Sequence, residues 1–337
     1  MSQETLRARF LALRFLTLVA LSTFVPSCRR VATPQATAHG PHRLPDFPSP
    51  AYWTRASPTD TLPLVSAHRG RPERPAYPEN ALESLRRLHE AGDFIAEVDV
   101  MRSRDGVLFL FHDDDLARLT VHTGDPGART WADLDTMRLR DATGALSPYT
   151  IPTLDEALAF AKGRLLLSLD RKGATTYAEL LTAVEARDMS GDVSLILYDE
   201  DDFRAYRALD RHPPVSQGVT DAPQVRALSR ACGELFGEAP CPISLFLGVG
   251  QLDRSVADAA AAAGLRTILG TFGDLDAAAQ DDGGATYRRL ADGGVTVVAT
   301  NTPLLAARAL YGTPDGAGGD RFGESPTAPR ENTGPRD

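Results

Sequence analysis

Eight short apolar runs recur along the chain: LVSAH, FIAEVDV, RLLLSLD, VSLILYD, PVSQGVT, ISLFLGV, LRTILGT and VTVVAT. Stretches of helical pattern lie between them, among them NALESLRRLHEAG, TLDEALAFAKG, TYAELLTAVEARD, DDFRAYRALDRH, APQVRALSRACGELFG, RSVADAAAAAG and TYRRLADGG. Alternation of this kind means parallel strands joined by crossover helices. Eight such units in about 250 residues are the size of an α/β (β/α)8 TIM barrel. One apolar run breaks the order. VLFLFH follows the second strand after only the turn RSRDG, and a parallel crossover needs roughly a dozen residues or more. VLFLFH is therefore predicted to fold back as a hairpin arm. That makes residues 101–152 a small insertion after the second strand, forming a lid or wall beside the barrel mouth.

Local signals mark the element ends. Asn80 with Glu83, and Thr153 with Glu156, have the spacing of capping boxes. Gly92 and Gly163 stand where helix C-caps place glycine. The folded unit spans about 62–312. Residues 29–61, rich in Pro, Ala and Thr, read as a flexible tether. Residues 313–337, rich in Gly, Pro and charge, read as a disordered tail.

Residues 1–28 read as an export signal: Arg7, Arg9 and Arg14 precede the apolar stretch FLTLVALSTFV, which is short for a transmembrane helix. Val25-Pro26-Ser27-Cys28 resembles a bacterial lipobox, with Pro26 an unusual residue there. The expectation is export to the cell envelope, periplasmic or surface, with membrane attachment through a lipid on Cys28. In such a compartment Cys232 and Cys241 could close a small disulfide loop. The net charge of −9 argues against a nucleic-acid partner, and no protein partner is indicated. An anionic substrate would have to be drawn in by a cation or by a few placed basic groups.

Active sites of TIM barrels lie at the C-terminal ends of the strands. The first strand ends in His68-Arg69, the second carries Glu97 and Asp99, and the third ends in Asp170-Arg171-Lys172. Glu97 and Asp99 are two apart, so they share one face of their strand. Adjacent buried carboxylates repel unless one is protonated or a cation sits between them. With Asp170 they make a three-carboxylate set suited to a hard divalent ion, Mg2+ or Ca2+. No Cys/His cluster suggests zinc. His68 and His112 each end an apolar run, and both titrate near neutral pH, so the pair suits acid–base chemistry.

These residues fall in an ordered series of motifs. They are His68-Arg69-Gly70, Pro78-Glu79-Asn80, Glu97-Val98-Asp99-Val100, Arg104-Asp105-Gly106, and His112-Asp113 with Leu116, Arg118 and Thr120. Ile151-Pro152-Thr153-Leu154-Asp155-Glu156-Ala157, Leu169-Asp170 with Lys172, and Ala299-Thr300-Asn301 with Pro303 follow. Over about 64–305 the chain resembles the glycerophosphodiester phosphodiesterases. The resemblance implies metal-dependent hydrolysis of a small-molecule phosphodiester to glycerol phosphate and an alcohol. It implies Glu97, Asp99 and Asp170 as metal ligands, and His68 and His112 as the acid–base pair. Arg69 and Lys172 would contact the phosphate, and Glu79 would support the site and the substrate alcohol. The chain departs from the pattern in having Asp170 where Glu is usual, Ala81 after Pro-Glu-Asn, and Gly270-Thr271-Phe272 where many members have Trp-Thr. Two other readings are a phospholipase D-type enzyme acting on sphingomyelin and lysolipids, and a non-catalytic surface-binding lipoprotein.

The lipobox reading predicts that globomycin makes an unprocessed precursor accumulate in the native host. Normal processing under the drug would rule out lipidation at Cys28.

Overall fold

The structure, a computed structural model, describes residues 43–54 and 63–312. The expected signal, Cys28, the rest of the tether and the tail 313–337 lie outside the described residues.

All eight expected barrel strands form. In chain order the strands are β1 (Leu64–Ala67), β2 (Ile95–Arg102), the insertion strands β3 (Leu108–Leu110), β4 (Arg138–Arg140) and β5 (Leu146–Thr150), then β6 (Leu166–Arg171), β7 (Val193–Leu197), β8 (Val215–Gly218), β9 (Ile243–Val249), β10 (Arg266–Gly270) and β11 (Val297–Thr300). The barrel order is β1-β11-β10-β9-β8-β7-β6-β2, and β2 pairs back to β1 to close it. Neighbours in this ring run parallel. Ala96, Val98 and Val100 join the core shared with the helices, as do Leu167 and Leu169. Strand alternation then turns Glu97 and Asp99 to the opposite face, into the barrel.

The helices are α1 (Leu82–Ala91), α2 (Trp131–Leu134) in the insertion, α3 (Leu154–Ala161), α4 (Tyr177–Ala186), α5 (Glu200–Arg207), α6 (Ala222–Phe236), α7 (Arg254–Ala262), α8 (Asp274–Asp281), α9 (Ala285–Asp292) and α10 (Pro303–Tyr311). Three of them, α2, α8 and α10, are absent from the sequence expectation. The buried residues of α8 are Asp276 and Ala279, so it has no apolar stripe to read.

VLFLFH does fold back. β3 pairs antiparallel with β2, Val100 opposite Leu110. The insertion has its own small core of Met101, Phe109, Phe111, Leu116, Leu134, Leu139 and Ile151. It therefore stands as a packed wall over the side of the barrel that carries β2.

Two expectations are corrected. Thr153 and Glu156 form their capping box, but Asn80 caps nothing: the N-cap of α1 is Ala81, without a side-chain bond. The Asn80 amide is held elsewhere, donating to Asp99 Oδ2 at 2.8 Å and accepting from the Asp99 N–H at 3.0 Å. Residues 43–54, expected within a flexible tether, dock on the N-terminal end of the barrel. Trp53 is 3% exposed and packs with Leu64, Ile95, Leu166 and Val297 near the starts of four strands. Its indole N–H donates to Gly191 O at 3.0 Å, and Arg43 pairs with Asp93 at 2.6 Å. A disulfide joins Cys232 of α6 to Cys241 ahead of β9.

Candidate active site

β2 and β6 are paired in register, Glu97 opposite Ser168 and Asp99 opposite Asp170. That register brings three carboxylates together: Glu97, Asp99 and Asp170 offer oxygens that all lie within 4.8 Å of one another. Asp99 and Asp170 are buried. Burial, and then the neighbouring Asp99 and Asp170, push the Glu97 carboxyl well above the usual range. Burial also raises Asp170, although the Lys172 ammonium and the Tyr198 phenol pull against it. The negative charge is thus only partly matched by the protein itself, and an all-oxygen donor set of this size is compatible with a divalent ion.

Lys172 Nζ lies 2.6 Å from Asp170 Oδ2 and 3.4 Å from Asp99 Oδ1. Burial works against the ammonium, but Asp170 and Asp99 outweigh it and hold its pKa above the ordinary lysine value. The neighbouring Arg171 turns away, to Asp202 at 3.2 Å and over the Tyr177 ring at 4.7 Å. Tyr198, at the end of β7, donates to both oxygens of Asp170, at 2.6 and 2.5 Å. It braces an acid one methylene shorter than the glutamate usual in the resembled pattern.

His68 follows β1 directly. Its Nδ1 is 2.9 Å from Asn301 Oδ1 at the end of β11. An amide oxygen only accepts, so Nδ1 carries the proton and Nε2 keeps its lone pair in the neutral ring. Burial lowers the His68 pKa, Arg69 adds to that, and the Asn301 bond opposes it. The Phe272 ring stacks on the imidazole at 4.1 Å and 18°. Phe272 reaches there across Gly270, where an added Cβ would come within 2.8 Å of the ring. The glycine in place of the usual tryptophan thus makes room for another aromatic, two residues on.

Arg69 adopts φ 55, a left-handed backbone that costs about 1–2 kcal/mol for a residue with a side chain. The conformation points its N–H at Glu97 Oε2, 2.8 Å away. Its guanidinium donates to Glu79 Oε1 at 2.8 Å and to His112 Nε2 at 2.9 Å. Gly70 is left-handed too, and a Cβ on it would lie 2.7 Å from Leu85. Glu79, 6% exposed, is clamped from the other side by Arg118 at 2.7 and 3.0 Å. Burial would raise the Glu79 carboxyl, but Arg118 and Arg69 keep it below its usual value. Arg118 also donates to both oxygens of Asp113, at 2.7 and 2.5 Å, and Asp113 accepts from His112 Nδ1 at 2.7 Å.

Seven of the residues expected at the site are joined in one network of hydrogen bonds and ion pairs, Arg69, Glu79, Glu97, Asp99, His112, Asp170 and Lys172, while His68, next to Arg69 in the chain, is held by Asn301 and Phe272. Asn301 and Tyr198 carry no assigned role in the sequence analysis, and neither do Asp113, Arg118 and Phe272. Chain position could have found the first two, since both end barrel strands. It offers nothing for Asp276, whose carboxylate lies behind Asn301.

The family described as glycerophosphoryl diester phosphodiesterase matches residues 68–305. A mouse (Mus musculus) relative, glycerophosphoinositol inositolphosphodiesterase GDPD2, is 50% identical over 178 residues, covering 41% of this chain and 32% of the relative. Glycerophosphodiester phosphodiesterase GDPD4 of Arabidopsis thaliana is 39% identical over 101 residues, covering 29% of this chain and 30% of that one. The chain thus spans under a third of the length of these curated relatives. Among solved structures, a glycerophosphoryl diester phosphodiesterase from Parabacteroides distasonis superposes with TM-score 0.68 at 24% identity, covering 78% of this chain and 90% of that one. An Oleispira antarctica phosphodiesterase in complex with the product sn-glycerol-3-phosphate gives 0.58 at 24%, covering 75% and 99%. At these identities the superpositions establish the TIM barrel.

The Arg118 bonds, with help from His112, lower the Asp113 pKa from 3.8 to about 2. A depressed acid adds stability that is complete above its unfolded value and is lost as pH falls through its folded value. The melting temperature of the parent should therefore fall between about pH 4 and pH 2 more steeply than that of Asp113→Asn. Identical acid limbs in the two proteins would contradict the pairing.

Proposed function

The chain belongs to the glycerophosphoryl diester phosphodiesterase family, and from that premise we propose that its barrel hydrolyses glycerophosphodiesters to a glycerol phosphate and an alcohol. The observation that carries the proposal is the pair of imidazoles with opposed surroundings. His68 is held neutral by burial, its Nδ1–H fixed on Asn301. His112 has the Asp113 carboxylate behind its Nδ1, a partner that stabilises an imidazolium.

In this reading His68 Nε2 takes the proton from the attacking hydroxyl, whether of water or of a neighbouring hydroxyl on the substrate. His112 gives a proton to the alcohol oxygen as the P–O bond breaks. Arg69 at present donates to His112 Nε2, so that nitrogen is not yet an acid. A bound phosphate would draw the guanidinium to itself and leave His112 free to take up and deliver a proton. Glu79, pinned by Arg118, holds Arg69 in reach of both positions. Lys172 and Arg69 offset charge on the phosphoryl oxygens.

Glu97, Asp99 and Asp170 would hold the metal, Mg2+ or Ca2+, which when bound supplies Lewis-acid polarisation of the phosphoryl group. Export and anchoring at Cys28 belong to the same proposal and rest on the N-terminal pattern. The non-catalytic reading is less well supported because every member of the expected hydrolytic set is present, and the phospholipase D-type reading because residues 68–305 match the glycerophosphoryl diester phosphodiesterase family.

The experiment is a substrate panel of glycerophosphocholine, glycerophosphoethanolamine, glycerophosphoinositol and sphingomyelin, with Mg2+ or Ca2+ added. The parent should release glycerol phosphate, and His68→Ala and His112→Ala should each lose about 100-fold or more in kcat. Variants as active as the parent would sink the acid–base assignment. Turnover of sphingomyelin alone would sink the substrate class.

A further inference from the structure

Asp276 lies on α8, outside every motif that points to the site, and is 5% exposed. Its Oδ1 accepts from Thr271 Oγ1 at 2.6 Å, Tyr287 OH at 2.8 Å and Thr300 Oγ1 at 2.7 Å. Its Oδ2 accepts from the Asn301 N–H at 2.9 Å. Thr302 completes the set, its hydroxyl 2.5 Å from Tyr287 OH and its N–H 2.9 Å from Thr300 Oγ1. A buried carboxylate is costly unless its lone pairs are filled, and here four donors fill them.

Two of those donors belong to the segments that hold His68. Thr271 immediately precedes Phe272, whose ring stacks on the imidazole. Asn301 carries the amide oxygen that accepts from His68 Nδ1. One buried acid therefore ties the end of β10 to the end of β11 behind the histidine. The charged groups that act on the imidazole itself are Arg69, Asp99 and Glu79; Asp276 reaches it through its two neighbours.

We propose that Asp276 is a positioning residue for the reaction: by clamping Thr271 and Asn301 it keeps the Phe272 ring and the Asn301 amide oxygen on His68, and so holds the imidazole as the Nδ1–H tautomer with its lone pair on Nε2. The proposal rests on His68 acting as the base. A loose or wrongly protonated base loses rate, not affinity, because the proton transfer occurs only in the transition state.

The test uses the full chain as Asp276→Asn, Asn301→Ala and the double variant, with glycerophosphodiester kinetics and 15N spectra of the histidine rings. Asp276→Asn keeps the side chain's size but sets an NH2 against one of its donors. It should lower kcat about tenfold or more while KM moves less than about twofold. The double variant should lose clearly less than the product of the two single losses, because the Asn301 route is shared and coupled residues do not add. In the 15N spectra, the Nδ1–H population of His68 should fall in Asp276→Asn. Multiplying losses in the double variant, or an unchanged tautomer, would overturn the proposal. Should Asp276→Asn not fold, Thr271→Val, which removes one donor, is read the same way, and an unchanged tautomer and kcat in it would also overturn it. If the parent cleaves no glycerophosphodiester, the functional reading fails, and the tautomer spectra still decide the role of Asp276.

Discussion

Three carboxylates that converge within 4.8 Å in a buried mouth repel one another, and much of the surrounding structure answers that repulsion. The register of β2 with β6 creates it, by setting Asp99 beside Asp170 and turning Glu97 to the same interior face. Lys172 offsets part of the charge, Tyr198 shares its one phenolic proton between the two Asp170 oxygens, and the Asn80 amide satisfies Asp99. The Arg69 backbone accepts a left-handed conformation to bring its N–H to Glu97. Glu97 is still pushed far toward its protonated form. A divalent ion would remove that cost directly.

The cations beyond the triad form a relay of shared partners. Arg69 touches Glu97 through its backbone, and Glu79 and His112 through its side chain. Arg118 joins Glu79 to Asp113, and Asp113 joins back to His112. A change in any of these partners is felt at the second imidazole. The first imidazole makes no hydrogen bond to this relay and feels only the charges of Arg69 and Glu79 from it, while Asn301 and Phe272 hold it by a neutral hydrogen bond and a ring face. The two histidines thereby sit in different electrostatic surroundings within one mouth.

The barrel was legible because each strand is a short apolar run and each crossover carries a helical period. The arm VLFLFH was legible for a negative reason: too few residues separate it from β2 for a crossover. His68, Glu97, Asp99 and Asp170 stand out in the sequence because they lie on or at the ends of barrel strands, where this architecture places chemistry, whereas Glu79, on the loop before α1, is reached only through the family resemblance. Asn80 misled for a physical reason. Its side chain has two uses, capping a helix or bonding to Asp99, and only the three-dimensional neighbour decides between them. Residues 43–54 misled because Pro-rich composition hides Trp53, whose burial against the strand starts has no local signature. Asp276 was illegible because its partners lie on β10, α9 and the end of β11, and no spacing in the sequence joins them.

Under the proposed function, the charge that Lys172 leaves unmatched on the triad holds a divalent ion. Calorimetric titration of Mg2+ and of Ca2+ into the metal-free protein, and into Glu97→Gln, tests it without reference to turnover. The expected result is one site per chain for at least one of the two ions, a higher melting temperature in its presence, and loss of both effects in Glu97→Gln. Absence of binding for both ions, or equal binding by the variant, would contradict it.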